Sequence, residues 1–137
     1  MKEYQYDAPG VLDKIVTPCT VDVQDYDTKS ETNINSCSIN ALWDTGATVS
    51  VVSESLIHRL GLIPTDITKV SGWDGVPVST NIYNIDLLLG DLRIDFVKVV
   101  RGPLVNTDMI IGMDVLCQGD LHITHPGFKT SLRFVIE

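Results

Sequence analysis

An apolar run that ends in an acid on a tight turn constrains this chain more than any other feature. Residues 41–50 read A-L-W-D-T-G-A-T-V-S. Ala41, Leu42 and Trp43 deliver Asp44 to a turn that carries a hydroxyl and a glycine, Thr45 and Gly46. The run Val49-Ser50-Val51-Val52 leaves the turn as a short β-branched strand. Asp-Thr-Gly is good turn chemistry by itself, because Asp bonds its own backbone and Gly tolerates unusual dihedrals. An acid placed directly after Ala-Leu-Trp also points to a carboxylate that something there requires.

The flanking pattern places this turn in a β-rich chain. Residues 36–43 alternate, with Cys37, Ile39, Ala41 and Trp43 on one face. Upstream, 20–23 reads as a strand, and Pro18 predicts an edge or a strand end. Residues 25–35 read as a polar loop with little to bury. Downstream, Ser53 is an N-cap, Leu56, Ile57 and Leu60 form one apolar face, and Gly61 with Pro64 closes a two-turn helix. Residues 67–70 and 76–78 flank S-G-W-D-G at 71–75, which predicts a hairpin with a mobile tip. Tyr83, Ile85, Leu87 and Leu89 alternate, as do Leu92, Ile94 and Phe96 around the Gly90-Asp91 turn. The apolar parity shifts at 82/83 and at 96/97, which predicts bulges or changes of sheet. Met109-Ile110-Ile111 reads as a strand buried on both faces, with a short helix at 113–116. Strands at 121–124 and 131–136 bracket Pro126-Gly127. Many short strands with one clear helix predict an all-β domain, a closed or partly closed barrel. Residues 1–14 are expected to form an N-terminal arm or edge strand, and 15–137 a single domain.

Composition narrows the partners. The chain has 137 residues, 44% hydrophobic and 20% charged, the balance of a globular domain. Ten basic against eighteen acidic residues leave a net charge of −8. That charge argues against nucleic acid or an anionic membrane as the main partner. No apolar run approaches the roughly 18 residues of a membrane span, and the first residues lack the order of a signal peptide. Cys19, Cys37 and Cys117 are odd in number and show no C-x-x-C spacing, which favours a reducing, cytoplasmic setting over a disulfide framework. They read as small buried hydrophobes. His122 and His125 are expected on opposite sides of a strand, so no metal site and no cofactor is expected. His58 is expected on an exposed helix face, and Asp114 reads as a helix-end acid.

The ordered motifs resemble those of the retropepsin-like aspartic proteases, the single-domain, retroviral-type family with cellular and bacterial relatives. Residues 41–50 match its apolar-apolar-Asp-Thr-Gly-Ala loop. Residues 71–78 stand where its flap lies. Ile110-Ile111-Gly112 matches its hydrophobic-hydrophobic-Gly motif, followed by residues 113–116 where it has a C-terminal helix. The resemblance spans about residues 15–135. It departs at the long 25–35 loop and at the Pro126-Gly127 hairpin, near the chain ends from which retroviral members build their interface.

The resemblance implies an aspartic endopeptidase with a retropepsin-like closed barrel, one or two short helices and a flap hairpin. Asp44, Thr45 and Gly46 would be its catalytic set. Peptide hydrolysis at such a site needs one carboxylate to take a proton from water and one carboxylic acid to donate to the carbonyl oxygen. Two carboxyls about 3 Å apart share one proton, as is established for aspartic proteases. The resemblance gives Thr45 the role of bonding across two loops. Gly46 lets an amide approach Asp44. Ala47 stands where two-lobed pepsins carry a hydroxyl residue, which predicts a less acidic dyad. The chain holds one Asp-Thr-Gly, so the second carboxylate is expected from Asp44 of another copy, in a homodimer.

A peptide or protein substrate is expected to lie extended between the flap and the Asp44 floor. Ala47, Gly72, Trp73, Asp74, Gly75 and Val76 are its expected contacts. Trp43, Val49 and Val52 are further cleft-facing candidates, which predicts a preference for apolar side chains. The alternative reading is an inactive retropepsin-like module for dimerisation or peptide binding. An aspartyl-phosphate enzyme is disfavoured, because such chemistry wants a parallel α/β sheet and Mg²⁺ carboxylates.

Overall fold

The computed structural model describes residues 1–24, 27–28, 35–71 and 74–137. Ten strands and two short helices are built from them. The strands are β1 (Lys2–Asp7), β2 (Val16–Asp22), β3 (Ser36–Trp43), β4 (Ser50–Ser53), β5 (Asp66–Ser71), β6 (Pro77–Leu89), β7 (Leu92–Gly102), β8 (Met109–Ile111), β9 (Asp120–Thr124) and β10 (Ser131–Ile136). The helices are α1 (Glu54–Leu60) and α2 (Met113–Leu116).

Six strands close a barrel in the order β2-β3-β8-β4-β7-β6, with β6 returning to β2. The all-β barrel expected from the alternating pattern is the fold observed. Strand β5 extends β6 as a hairpin outside the closed ring, in register from Asp66↔Ile82 to Ser71↔Pro77. Pro18 sits within β2, opposite Asn40 of β3. Strand β6 reaches β2 only at Thr20–Asp22, so proline's missing N–H falls on a stretch that β6 leaves unpaired.

The barrel seam is held by charge. Arg93 bonds Asp95 from Nε at 2.7 Å, Asp86 from Nη2 at 2.8 Å and Asp22 from Nη1 at 3.1 Å. These partners lie on β2, β6 and β7. Asp86 is buried, and its carboxylate also accepts from Gln24 Nε2 at 2.6 Å and the Phe96 N–H at 3.0 Å. A buried carboxylate is tolerated when its lone pairs are filled in this way. Ile85 faces Val97 while Leu87 faces Ile94, so β7 carries one extra residue opposite Asp86. Phe96 absorbs it at φ 58° and points outward. The parity shift at 96/97 is this bulge. No register shift lies at 82/83, where β6 pairs regularly with β7 from Ile82 to Ile85.

The expected helix is α1. Ser53 Oγ accepts the Leu56 N–H at 3.1 Å, and Gly61 leaves the helix in the left-handed region. Leu56, Ile57 and Leu60 are buried against the barrel, and His58 is exposed. The expected third strand begins one residue later than Val49, at Ser50. Most of the polar 25–35 loop lies outside the described residues. Asp27 within it is buried, against expectation, because its backbone is tied to Gln24 and Ile63 under the helix exit. Burial raises the pKa of its carboxyl, and the Asp86 charge adds to the effect.

A second sheet, in the order β1-β10-β9, covers one side of the barrel. Strand β1 runs antiparallel to β10 from Lys2↔Ile136 to Asp7↔Ser131. The hairpin expected around Pro126-Gly127 joins β9 to β10 through a 3-10 turn, Pro126–Phe128. Phe134 and Leu132 are fully buried beneath this sheet. No helix among the described residues is long and apolar enough to cross a membrane.

All three cysteines are free. Burial, with the Asp108 charge adding to it, pushes the Cys19 thiol up to about 12. Its reactive thiolate is therefore scarce at pH 8. Cys117 is exposed and Cys37 only partly buried, contrary to the expectation that the cysteines are buried. Iodoacetamide at pH 8 is expected to label Cys117 in the folded chain, and Cys19 only after denaturation. Mass spectrometry of the labelled peptides checks this, and equal labelling of both in the native state contradicts it.

Candidate active site

Strand pairing sets the site. Strands β3 and β8 run parallel, with Ala41 beside Met109, Leu42 beside Ile110 and Trp43 beside Ile111. Parallel neighbours end at the same edge of the sheet. The turn after Trp43 and the turn after Ile111 therefore lie side by side. The Asp44 N–H continues the ladder by donating to the Ile111 carbonyl at 3.0 Å.

Asp44 is half-buried at the start of its turn. Its Oδ1 accepts the Gly46 N–H at 2.8 Å, and its carbonyl accepts the Ala47 N–H at 3.2 Å. A Cβ at residue 46 would lie 3.2 Å from that same Oδ1, so glycine keeps the carboxylate and the amide close. Thr45 is exposed, and its hydroxyl makes no hydrogen bond among the described residues.

The turn is braced from beneath by α2. The Met113 N–H donates to the Ala47 carbonyl at 2.8 Å. Asp114 accepts the Ser50 N–H at 2.9 Å on Oδ2, and on Oδ1 the Ser50 hydroxyl at 2.7 Å and the Val115 N–H at 2.9 Å. The Ser50 hydroxyl oxygen in turn accepts the Gly112 N–H at 3.0 Å. Gly112 packs so tightly that a Cβ there would sit 2.8 Å from the Val49 backbone and 2.9 Å from the Ala47 oxygen. Asp114, read from sequence as a helix-end acid, thus also ties the two turns together. Its place in the first turn of α2 was legible, but its partner 64 residues away was not.

Trp43 and Val52 were expected to face the cleft, and the structure corrects both. Val52 is fully buried in the barrel. Trp43 is buried and donates from Nε1 to Thr17 Oγ1 at 2.9 Å. It stacks on Tyr4 at 6.0 Å between ring centroids and meets Phe134 edge-on at 5.7 Å. The residue before Asp44 therefore anchors the turn to the second sheet. Val49 is partly exposed at the turn's exit.

The other expected contacts lie on the β5–β6 hairpin. Gly72 and Trp73 fall outside the described residues. Asp74 Oδ1 accepts the Val76 N–H at 3.0 Å, and Gly75 has φ 78°. Val76, Val78 and Ile67 leave more than half of their surface open on this hairpin. A cavity of about 600 Å³ opens between the hairpin, the start of α1 and residues 101–104, lined by Val70, Val78, Pro103 and Leu104 among others. The Asp44 turn is not part of its lining. Asp44, Thr45, Gly46 and Ala47 thus share one turn, and Asp74, Gly75 and Val76 share another element. Among the described residues, no three His, Cys, Asp or Glu side chains are grouped to hold a metal ion.

Two solved structures share the architecture. EIAV protease, complexed with the inhibitor HBY-793, superposes with a TM-score of 0.54 at 20% identity, over 77% of this chain and 86% of that one. The retroviral protease-like domain of Ddi1 from Leishmania major gives a TM-score of 0.52 at 20% identity, over 88% and 94%. A retropepsin-like aspartic protease from Rickettsia conorii gives 0.49 at 14% identity, over 93% and 98%. No curated protein matches the chain at a significant level. The sequence model described as aspartyl protease matches residues 30–115, which include the Asp44 turn, the hairpin and the Gly112 turn. That match covers well over half of the 137 residues, and the chain belongs to the aspartyl protease family, with a retropepsin-like fold.

Proposed function

We propose that the chain is an aspartic endopeptidase whose active unit is a homodimer, with Asp44 of each copy forming the catalytic pair. One observation carries the reading. Asp44 is held on a braced turn with one oxygen bonded to the Gly46 amide, and the chain contains one such turn. Half of a two-carboxylate site is present, built to a fixed geometry.

In the dimer the two carboxyls hold one proton between them. The ionised carboxylate takes a proton from a water molecule, whose oxygen attacks the scissile carbonyl carbon. The protonated carboxyl donates to the carbonyl oxygen. The tetrahedral intermediate then collapses, with a proton passing to the leaving nitrogen as the C–N bond breaks. Thr45, exposed with an unused hydroxyl, is available to bond to the partner's loop. Ala47, Asp74, Gly75 and Val76 are the proposed substrate contacts, and Gly72 and Trp73 are assigned the same role on sequence alone. The β5–β6 hairpin acts as the flap. Exposed Val76 and Val78 favour apolar substrate side chains, and the strand edges favour an extended peptide bound by backbone hydrogen bonds.

The test is cleavage of a peptide library with specific activity measured over a dilution series. Activity per chain is expected to fall as the dimer dissociates. Activity per chain that stays constant in a monomeric sample contradicts the proposal.

A further inference from the structure

Arg101 stands apart from the other arginines. Arg59 meets Asp108 at 2.6 Å, Arg93 meets Asp95 at 2.7 Å and Arg133 meets Glu3 at 3.1 Å. Among the described residues Arg101 has one carboxylate within reach, that of exposed Glu54 at 3.9 Å. That gap is too long for a hydrogen bond, and solvent screens the attraction. The guanidinium makes no hydrogen bond among the described residues, while its backbone is fixed. Strand β7 sets Arg101 beside Val52, and the Arg101 carbonyl accepts the Thr80 hydroxyl at 3.0 Å.

This loosely held charge lies on the cavity of about 600 Å³ at the base of the β5–β6 hairpin, and it is the one cation in the lining. Val70 and Val78 pair directly across the hairpin and so project from one face. With Pro103 and Leu104 they form an apolar wall. An apolar wall with a single placed charge is the usual make-up of a binding site.

Position relates the cavity to the proposed path of the substrate. Val76, a proposed contact, is two residues from Val78. On the floor, β4 starts at Ser50, where the Asp44 turn is braced, and ends at Ser53 on the cavity. Three strand steps span about 10 Å, and an extended peptide advances at the same rate. A substrate held at Asp44 thus passes the cavity about three or four residues from the bond it loses.

We infer that Arg101 is a specificity residue that selects a substrate glutamate at this distance from the cut. The glutamate methylenes lie on Val78 and Leu104, and its carboxylate receives the guanidinium N–H groups. The inference rests on the peptidase reading above and names a feature of its substrates. A net charge of −8 repels acidic peptides in general, so acceptance of a carboxylate needs a local cation. No bond or proton changes at Arg101, so it acts on binding and leaves the chemical step alone.

Peptides of apolar sequence with Glu, Gln or Lys placed at each position in turn test this. At one position, about three or four residues from the cut, Glu is expected to give a KM about tenfold below that of Lys, with kcat unchanged. Arg101→Glu is expected to reverse that order at that position alone, and Arg101→Gln to level it, with far-UV spectra unchanged. The Asp44→Asn chain gives a readout without cleavage, by calorimetric titration with the same peptides. Glu-selective binding that Arg101→Glu reverses, in a protein that cleaves none of the peptides, sinks the peptidase reading and supports the Arg101 site. Cleavage by wild type and Arg101→Glu with the same preference at every position overturns the Arg101 site and leaves the peptidase reading intact.

Discussion

Asp44→Asn is expected to lower kcat by about 10²- to 10⁴-fold, the range of a lost general acid or base. The reason is chemical rather than structural. An amide cannot accept the proton from water, and a pair of amides cannot share one. The Asn side-chain oxygen can still accept the Gly46 N–H that Asp44 Oδ1 accepts at 2.8 Å, so the turn keeps its shape. Thermal stability and the dimer Kd are therefore expected to stay close to wild type. The measurement is kcat on a peptide cleaved by the wild type, with circular dichroism and sedimentation as controls. A variant that is folded, dimeric and fully active would remove Asp44 from the mechanism. The contrast with ordinary turn chemistry is sharp, since a turn aspartate tolerates asparagine without loss.

Asp114→Ala carries the second large effect, and here it is structural first. The carboxylate accepts three hydrogen bonds, two of them from Ser50, which is fully buried. Deleting it leaves the N–H of buried Ser50 without its partner. Unsatisfied donors of this kind, together with lost bonds to a charged group, cost about 3 kcal/mol. For a domain of this size that lowers Tm by about 10 °C. The Ser50 hydroxyl also holds the Gly112 N–H at 3.0 Å, so the loss spreads to the turn that packs against Val49 and Ala47. Activity per folded dimer is expected to fall about tenfold, because the Asp44 turn loses its brace. Asp114→Asn, which keeps one carbonyl oxygen, is expected to lose less of both. A Tm unchanged in Asp114→Ala would show that the bonds beneath the turn are dispensable.

What could be read before the structure was local. The strand into Asp44, the Ser53 cap, the Gly61 exit and the Pro126-Gly127 hairpin are each specified by neighbours a few residues apart. Alternation correctly grouped Ile39, Ala41 and Trp43 on one face, and all three are buried. Trp43 follows that grouping into the core and away from the cleft. Val52 shows the limit of such a grouping. A period of two tells which residues share a face, but not which face of a barrel strand is inside.

The features that escaped were long-range. Asp114 reaches Ser50 across 64 residues, and Tyr4 reaches Trp43 across most of β1 to β3. Burial of Asp27 depends on the helix exit at Ile63. No local spacing encodes such meetings. The Asp44, Thr45, Gly46 and Ala47 turn was legible because its chemistry is written in consecutive residues. The hairpin contacts were legible as turn residues only.

The central claim is that each active site needs Asp44 from two chains, and mixed dimers test it most directly. Wild-type chain is combined with Asp44→Asn chain at constant total concentration and allowed to exchange subunits. If both carboxylates are required, only wild-type pairs cleave, and activity follows the square of the wild-type fraction, about one quarter of full activity at an equal mixture. Activity that falls in direct proportion to the wild-type fraction would mean that each chain works alone, and would contradict the account.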